Sequence, residues 1–113
     1  MQNRITFLLI LISLIGMNCA GFYSYYIHSI NENPSFYDGK KVLVTGTVIH
    51  VLALPFVDKG FCKIDDGTGA IWVKPANKVM KKGERITIHG VVKKGITFGG
   101  KTFGVIIVED IPD

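Results

Sequence analysis

From Ile5 to Ile27 the chain carries no charged residue, and this run of 23 residues, ITFLLILISLIGMNCAGFYSYYI, dictates what can be built around it. As a helix it is long enough to cross roughly 30 Å of hydrocarbon. Its first half is almost pure Leu, Ile and Phe, and its second half carries Tyr23, Tyr25 and Tyr26, which suit the interfacial level of a bilayer. Three fates fit the segment. An uncleaved signal anchor accounts for the length and the tyrosines. A cleaved signal peptide would use Arg4, the apolar stretch Ile5–Ile15 and a cut near Ala20 or Gly21, with Asn18 a poor residue before the cut. A lipoprotein would use Cys19, although Gly16, Met17 and Asn18 match a lipobox badly. The anchor is the expectation: residues 1–30 as a transmembrane or signal helix, 31–38 as a polar linker, and 39–113 as the folded domain. With Arg4 ahead of the run, the positive-inside rule favours a single-pass protein whose C-terminal domain lies outside the cytoplasm.

The apolar excess, 48% hydrophobic residues in 113, is thus local, and the remainder of the chain is basic. Between Lys40 and Val108 twelve Lys or Arg residues stand against four acids, whereas the whole chain is only +4. Such a balance favours anionic partners.

After the linker NENPSFYD the apolar residues recur with period two. Lys41–Val51 places Val42, Val44 and Val48 on one face, and Gly46 within it signals a bulge or a sharp coil. Gly60–Asp65 and Ala70–Lys74 flank the tight turn Asp66-Gly67-Thr68-Gly69. Pro75–Lys82 allows one helical turn, and Arg85–Val92 and Phe103–Asp110 complete five strands. Five short curved strands are best closed into a barrel, which leaves no edge exposed. Its core would be Val42, Val44, Val48, Ile64, Ile71, Val73, Ile86, Ile88, Val105 and Ile107. Cys62 also faces inward and reads as a small core hydrophobe.

The run Gly39–Val48, with Val44-Thr45-Gly46-Thr47-Val48, resembles the opening strand of an OB-fold. Phe61–Val73 resembles that family's F-x-x-L-x-D-x-T-G-x-I-x-V, and Lys82–Val92 its x-G-x-x-V-x-V-x-G-x-V. The likeness covers residues 39–110 and is nearest to the tRNA-anticodon and single-stranded nucleic-acid-binding type. It implies an all-β, five-stranded Greek-key barrel behind the N-terminal helix. It also implies a ligand face on the second and third strands, flanked by the loops joining strands one to two and four to five.

On that face the outward residues are expected to be Phe61, Lys63, Trp72 and Lys74. Two rings interleaved with two amines suit an unpaired nucleic-acid strand, since bases stack on rings and ammonium groups neutralise phosphates. The loop Lys93–Lys101 adds Lys93, Lys94, Phe98 and Lys101 on a glycine-flexible hairpin able to fold over the strand. The bland alternative is that the lysines are ordinary solvated charges and the aromatics cover the sheet. Leu52–Val57 is apolar for a loop and is expected to pack across the barrel end.

Catalysis finds no pattern. His28, His50 and His89 are scattered with no third ligand for a metal, and Asp65-Asp66 suits turn chemistry. A tethered OB barrel also resembles the haem chaperone of cytochrome c maturation. That family attaches haem through His or Cys followed four residues later by Tyr near its tail, a motif missing before Pro112-Asp113. No cofactor, metal or enzyme activity is therefore expected. The expected partners are single-stranded nucleic acid, the membrane through Ile5 to Ile27, and a protein. The rival function is an exported envelope adaptor binding protein, anionic lipid or saccharide.

Overall fold

The computed structural model describes residues 21–54, 57–98 and 100–110, the side chain of Phe98 excepted. The alternating valines of Lys41–Leu52 form β2, a strand long enough to need two partners on one side and one on the other. Its first half, Lys41–Thr47, pairs antiparallel with β5 (Arg85–Phe98), and its second half, Thr47–Leu52, with β3 (Phe61–Asp65). β3 turns back into β4 (Ala70–Lys74), β4 lies parallel to β6 (Lys101–Glu109), and β6 pairs antiparallel with β5. The ring β2-β3-β4-β6-β5 therefore closes on itself. A sixth strand, β1 (Tyr23–Ser24), adds in parallel at Val42 and Leu43, so the sheet is mixed and not a regular barrel.

The ring encloses one apolar core of Val42, Val44, Val48, Cys62, Ile64, Ile71, Val73, Met80, Ile88, Val92 and Ile107, with Ile86 and Val105 packed at its margin. All ten expected core positions lie in it or against it. Burial pushes the Cys62 thiol up to about 12, with Glu109 and Glu84 adding repulsion, so it stays protonated and inert.

The N-terminal boundary differs from expectation. Ile27–Glu32 forms helix α1, Pro34–Tyr37 forms α2, and Ile27 and Ile30 are fully buried in the same core. The end of the charge-free run and the supposed linker are thus parts of the domain. The reason is spacing: Ile27 and Ile30 stand three apart, one face of a helical turn, and that face closes the end of the ring. Among the described residues no helix is long and apolar enough to cross a membrane, and residues 5–20, Cys19 included, lie outside them. Pro75–Lys82 is irregular and forms no helical turn.

Asp66 ties α1 to the sheet. Its Oδ2 accepts the Ile27 amide at 2.9 Å, and its Oδ1 accepts the Thr68 amide, the Thr68 hydroxyl and the Gly69 amide. Asp65 likewise accepts the Gly67 amide, so the two carboxylates do turn chemistry. Burial raises the Asp66 pKa, but the Thr68 hydroxyl and the three amides outweigh it and hold the carboxyl below its ordinary 3.8. A depressed folded pKa gives stability that is present above the ordinary value and lost as pH falls through the folded one. Asp66→Ala is therefore expected to cost about 1–2 kcal/mol at neutral pH. Urea melts of variant and wild type should converge as pH falls below the ordinary carboxylate range and through the depressed pKa of Asp66; a gap that persists undiminished in acid would show that the charge is not what holds α1.

Candidate functional site

The outer face of the sheet is defined by register. His50 pairs with Lys63, Lys63 with Trp72, Trp72 with Ile106, and Ile106 with Lys93. Cross-strand partners project to one side, so these five residues form a row across β2, β3, β4, β6 and β5 with strands about 4.8 Å apart. His50 joins the row because of a register shift between Val48 and His50. The bulge places Ile49 out of phase, and every later side chain of β2 changes face. Gly46 had signalled such an irregularity three residues early.

Trp72 is the centre of the row and is half-buried. The Lys63 ammonium lies 5.7 Å and the Lys101 ammonium 5.8 Å from its ring centroid. His50 meets it edge-on at 5.9 Å, and Phe103 packs at 5.8 Å. Lys101 also lies 5.5 Å from the Phe103 ring. Among the described residues neither Lys63 nor Lys101 forms an ion pair with a carboxylate. Two ammonium groups over one ring, at cation–π distance and without a counter-charge, are a local concentration of positive potential on an apolar floor.

That floor is a second apolar cluster. Phe61, Phe103 and Ile106 are buried in it, with Leu52, Leu54, Val57, Ile96 and Val108 around them. Phe61 is 1% exposed, so the expectation that it presents its ring to solvent is overturned. The loop after β2 supplies Leu54 and Val57, which pack on this cluster as the apolar loop predicted; Pro55 and Phe56 lie outside the described residues. A ring on an outer face stays available only if nothing roofs it, and here the loop and Phe103, its ring centroid 4.7 Å from that of Phe61, roof it.

The other expected residues divide. Lys74 shares the Trp72 face beside Val108. Lys93 is exposed at the far end of the row. Lys94 turns away: its amide donates to Asp38 Oδ1 at 3.0 Å and its ammonium to Ser35 Oγ at 2.9 Å. The stretch expected as a mobile loop is a two-stranded ribbon paired out to Phe98 and Lys101. The Phe98 side chain lies outside the described ones. His50 and Phe103 were not expected. Phe103 could have been read from Val105-Ile106-Ile107-Val108, a continuous apolar run that marks a strand buried on both faces.

No family model and no curated protein matches the chain. Among solved structures it is similar to a chain of "OBody AM3L09 bound to hen egg-white lysozyme", at 19% identity over 66% of this chain and 79% of that chain, with a TM-score of 0.48.

Proposed function

We propose that the chain is a membrane-tethered, non-catalytic binding module of the OB type whose Trp72 face takes an unpaired nucleic-acid strand. The observation that carries this reading is the half-buried Trp72 ring between two ammonium groups that lack carboxylate partners. A base stacks on the ring, and Lys63, Lys101 and Lys93 along the same row neutralise successive phosphates. The ring order β2-β3-β4-β6-β5 and the Phe61–Val73 motif support the OB assignment, and the site lies where such barrels bind ligands. Among the described side chains, burial of Phe61 leaves Trp72 as the stacking ring of this face, which implies a short footprint and weak sequence preference. The tether is the charge-free run before β1, and the expected orientation puts the module outside the cytoplasm, where released or imported strands would be its ligands.

The test is binding of a labelled oligo-dT to the full chain in non-ionic detergent, followed by fluorescence anisotropy across a salt series. Affinity should fall with salt, and Lys63→Gln should lower the salt slope by roughly one. Trp72→Ala should weaken binding by about 5–150-fold, the equivalent of about 1–3 kcal/mol per stacked base. Absence of binding at low salt sinks the proposal. Equal affinity for a sulfated polysaccharide, indifferent to Trp72, would favour the exported adaptor for anionic saccharide or lipid instead.

A further inference from the structure

We infer that the α1–α2 end of the domain is a membrane-docking face, seated on the headgroup layer of an anionic bilayer. The inference rests on the tether in the reading above, not on its ligand. Tyr23, Tyr26 and Phe36 are exposed by 50%, 69% and 57%, three of the six large hydrophobic residues that stand exposed among the described ones. They share the end of the molecule where the charge-free run enters the fold. Tyr25 and Tyr37 lie beneath: both pack against the inner core, their rings meet edge-on at 5.0 Å, and Tyr37 meets Phe36 at the same distance. Phe36 is therefore fixed through Tyr37 to the core, and Tyr26 flanks the anchored Tyr25 in sequence.

Two lysines edge it. The Lys40 ammonium lies 4.4 Å from the Phe36 ring centroid and the Lys41 ammonium 5.6 Å from that of Phe22. The acids nearby are partly engaged, Asp38 by the Lys94 amide and Glu32 by His28 at 3.9 Å. Aromatic rings beside ammonium groups suit the headgroup level, where rings take up the interfacial layer and lysines meet lipid phosphates.

The bilayer is the occupant that the chain itself selects. The apolar run continues without a charge up to Phe22, and β1 starts at Tyr23, so no linker separates the two. A membrane segment of that run brings this face to the surface before any other. Lys41 and Leu52 are opposite ends of β2, so docking at the first turns the loop after the second, and the His50 end of the Trp72 row beside it, away from the lipid.

The test uses the full chain in vesicle-derived nanodiscs of phosphatidylcholine and phosphatidylglycerol, with a gadolinium-chelating lipid as the probe. Amide signals of Tyr26, Phe36 and Lys40 should broaden several-fold more than those of Ile96 and Phe103. Lys40→Glu with Lys41→Glu should reduce the docked population by about fivefold or more for each lysine. Tyr26→Ser with Phe36→Ser, both exposed and so expected to fold normally, should also abolish the selectivity. Extraction with alkaline carbonate separates the two premises. Release of the chain overturns the tether and the docking together. Retention with broadening that merely declines along the chain from Gly21, unchanged in the variants, overturns the docking alone and leaves oligonucleotide binding untouched.

Discussion

Replacing Ile27 and Ile30 together by alanine is expected to unfold the domain at ambient temperature. Both side chains are fully buried and contact the same core as Val42, Ile64 and Ile107. Each Ile→Ala change removes three carbons and leaves a void that the closed sheet, pinned by hydrogen bonds on both sides of β2, cannot collapse to fill. Such changes cost about 2–5 kcal/mol each, and a domain of this size has only about 5–15 kcal/mol in total. The loss should appear in urea melts of the full chain in non-ionic detergent, followed by Trp72 emission. Tyr26→Ala, one residue before the helix but 69% exposed, should melt with the wild type. If the double variant does so too, α1 is an ornament and the domain begins after residue 30, where composition alone puts it.

That boundary shows why part of the fold was hidden. Period-two alternation gave the strand Ala70–Lys74 to the residue and the inward faces of the others, because a sheet with one wet face imposes that alternation. Ile27 and Ile30 carry a helical signal of the same kind, but it is embedded in a run apolar at nearly every position, where no periodicity stands out. The outer face was half legible. Alternation says which side Phe61 and Trp72 share, and they do share it. It does not say what else comes to that side. The roof over Phe61 is assembled from the loop residues Leu54 and Val57 and from Phe103, far from both in sequence, and His50 enters only through the bulge at Ile49. The amines over Trp72 were legible as chemistry; their convergence from β3 and β6 depends on the parallel β4–β6 pairing that closes the ring.

Closure has its own requirement, and Gly90→Ala should expose it. Gly90 pairs with Val42 on one side and with Glu109 on the other, so it is the point where β5 is gripped by both β2 and β6. A Cβ there would meet the Ile107 side chain and come 2.7 Å from the Val108 carbonyl oxygen. Gly46 is its counterpart beside Thr47, which pairs with both β3 and β5; a Cβ at Gly46 would come 2.8 Å from the Asp65 carbonyl oxygen. Neither obstacle is a flexible tip that can swing aside, since both oxygens belong to backbone. Overpacking of this sort costs about 1–3 kcal/mol and occasionally more, equivalent to a fall of about 5–20 °C in Tm. Gly104→Ala is the matched control, because Gly104 is also in a strand but has nothing near its missing Cβ, and it should be neutral or slightly stabilising. In Gly90→Ala the strain falls on Ile107 and Val108, the partners of Val73 and Lys74, so β6 should loosen from β4. Lys101 and Phe103 would then leave Trp72, its emission should shift to the red, and oligonucleotide affinity should drop without any ligand-face residue having been touched. Equal Tm values for Gly90→Ala and Gly104→Ala would mean that the ring is not closed at this corner.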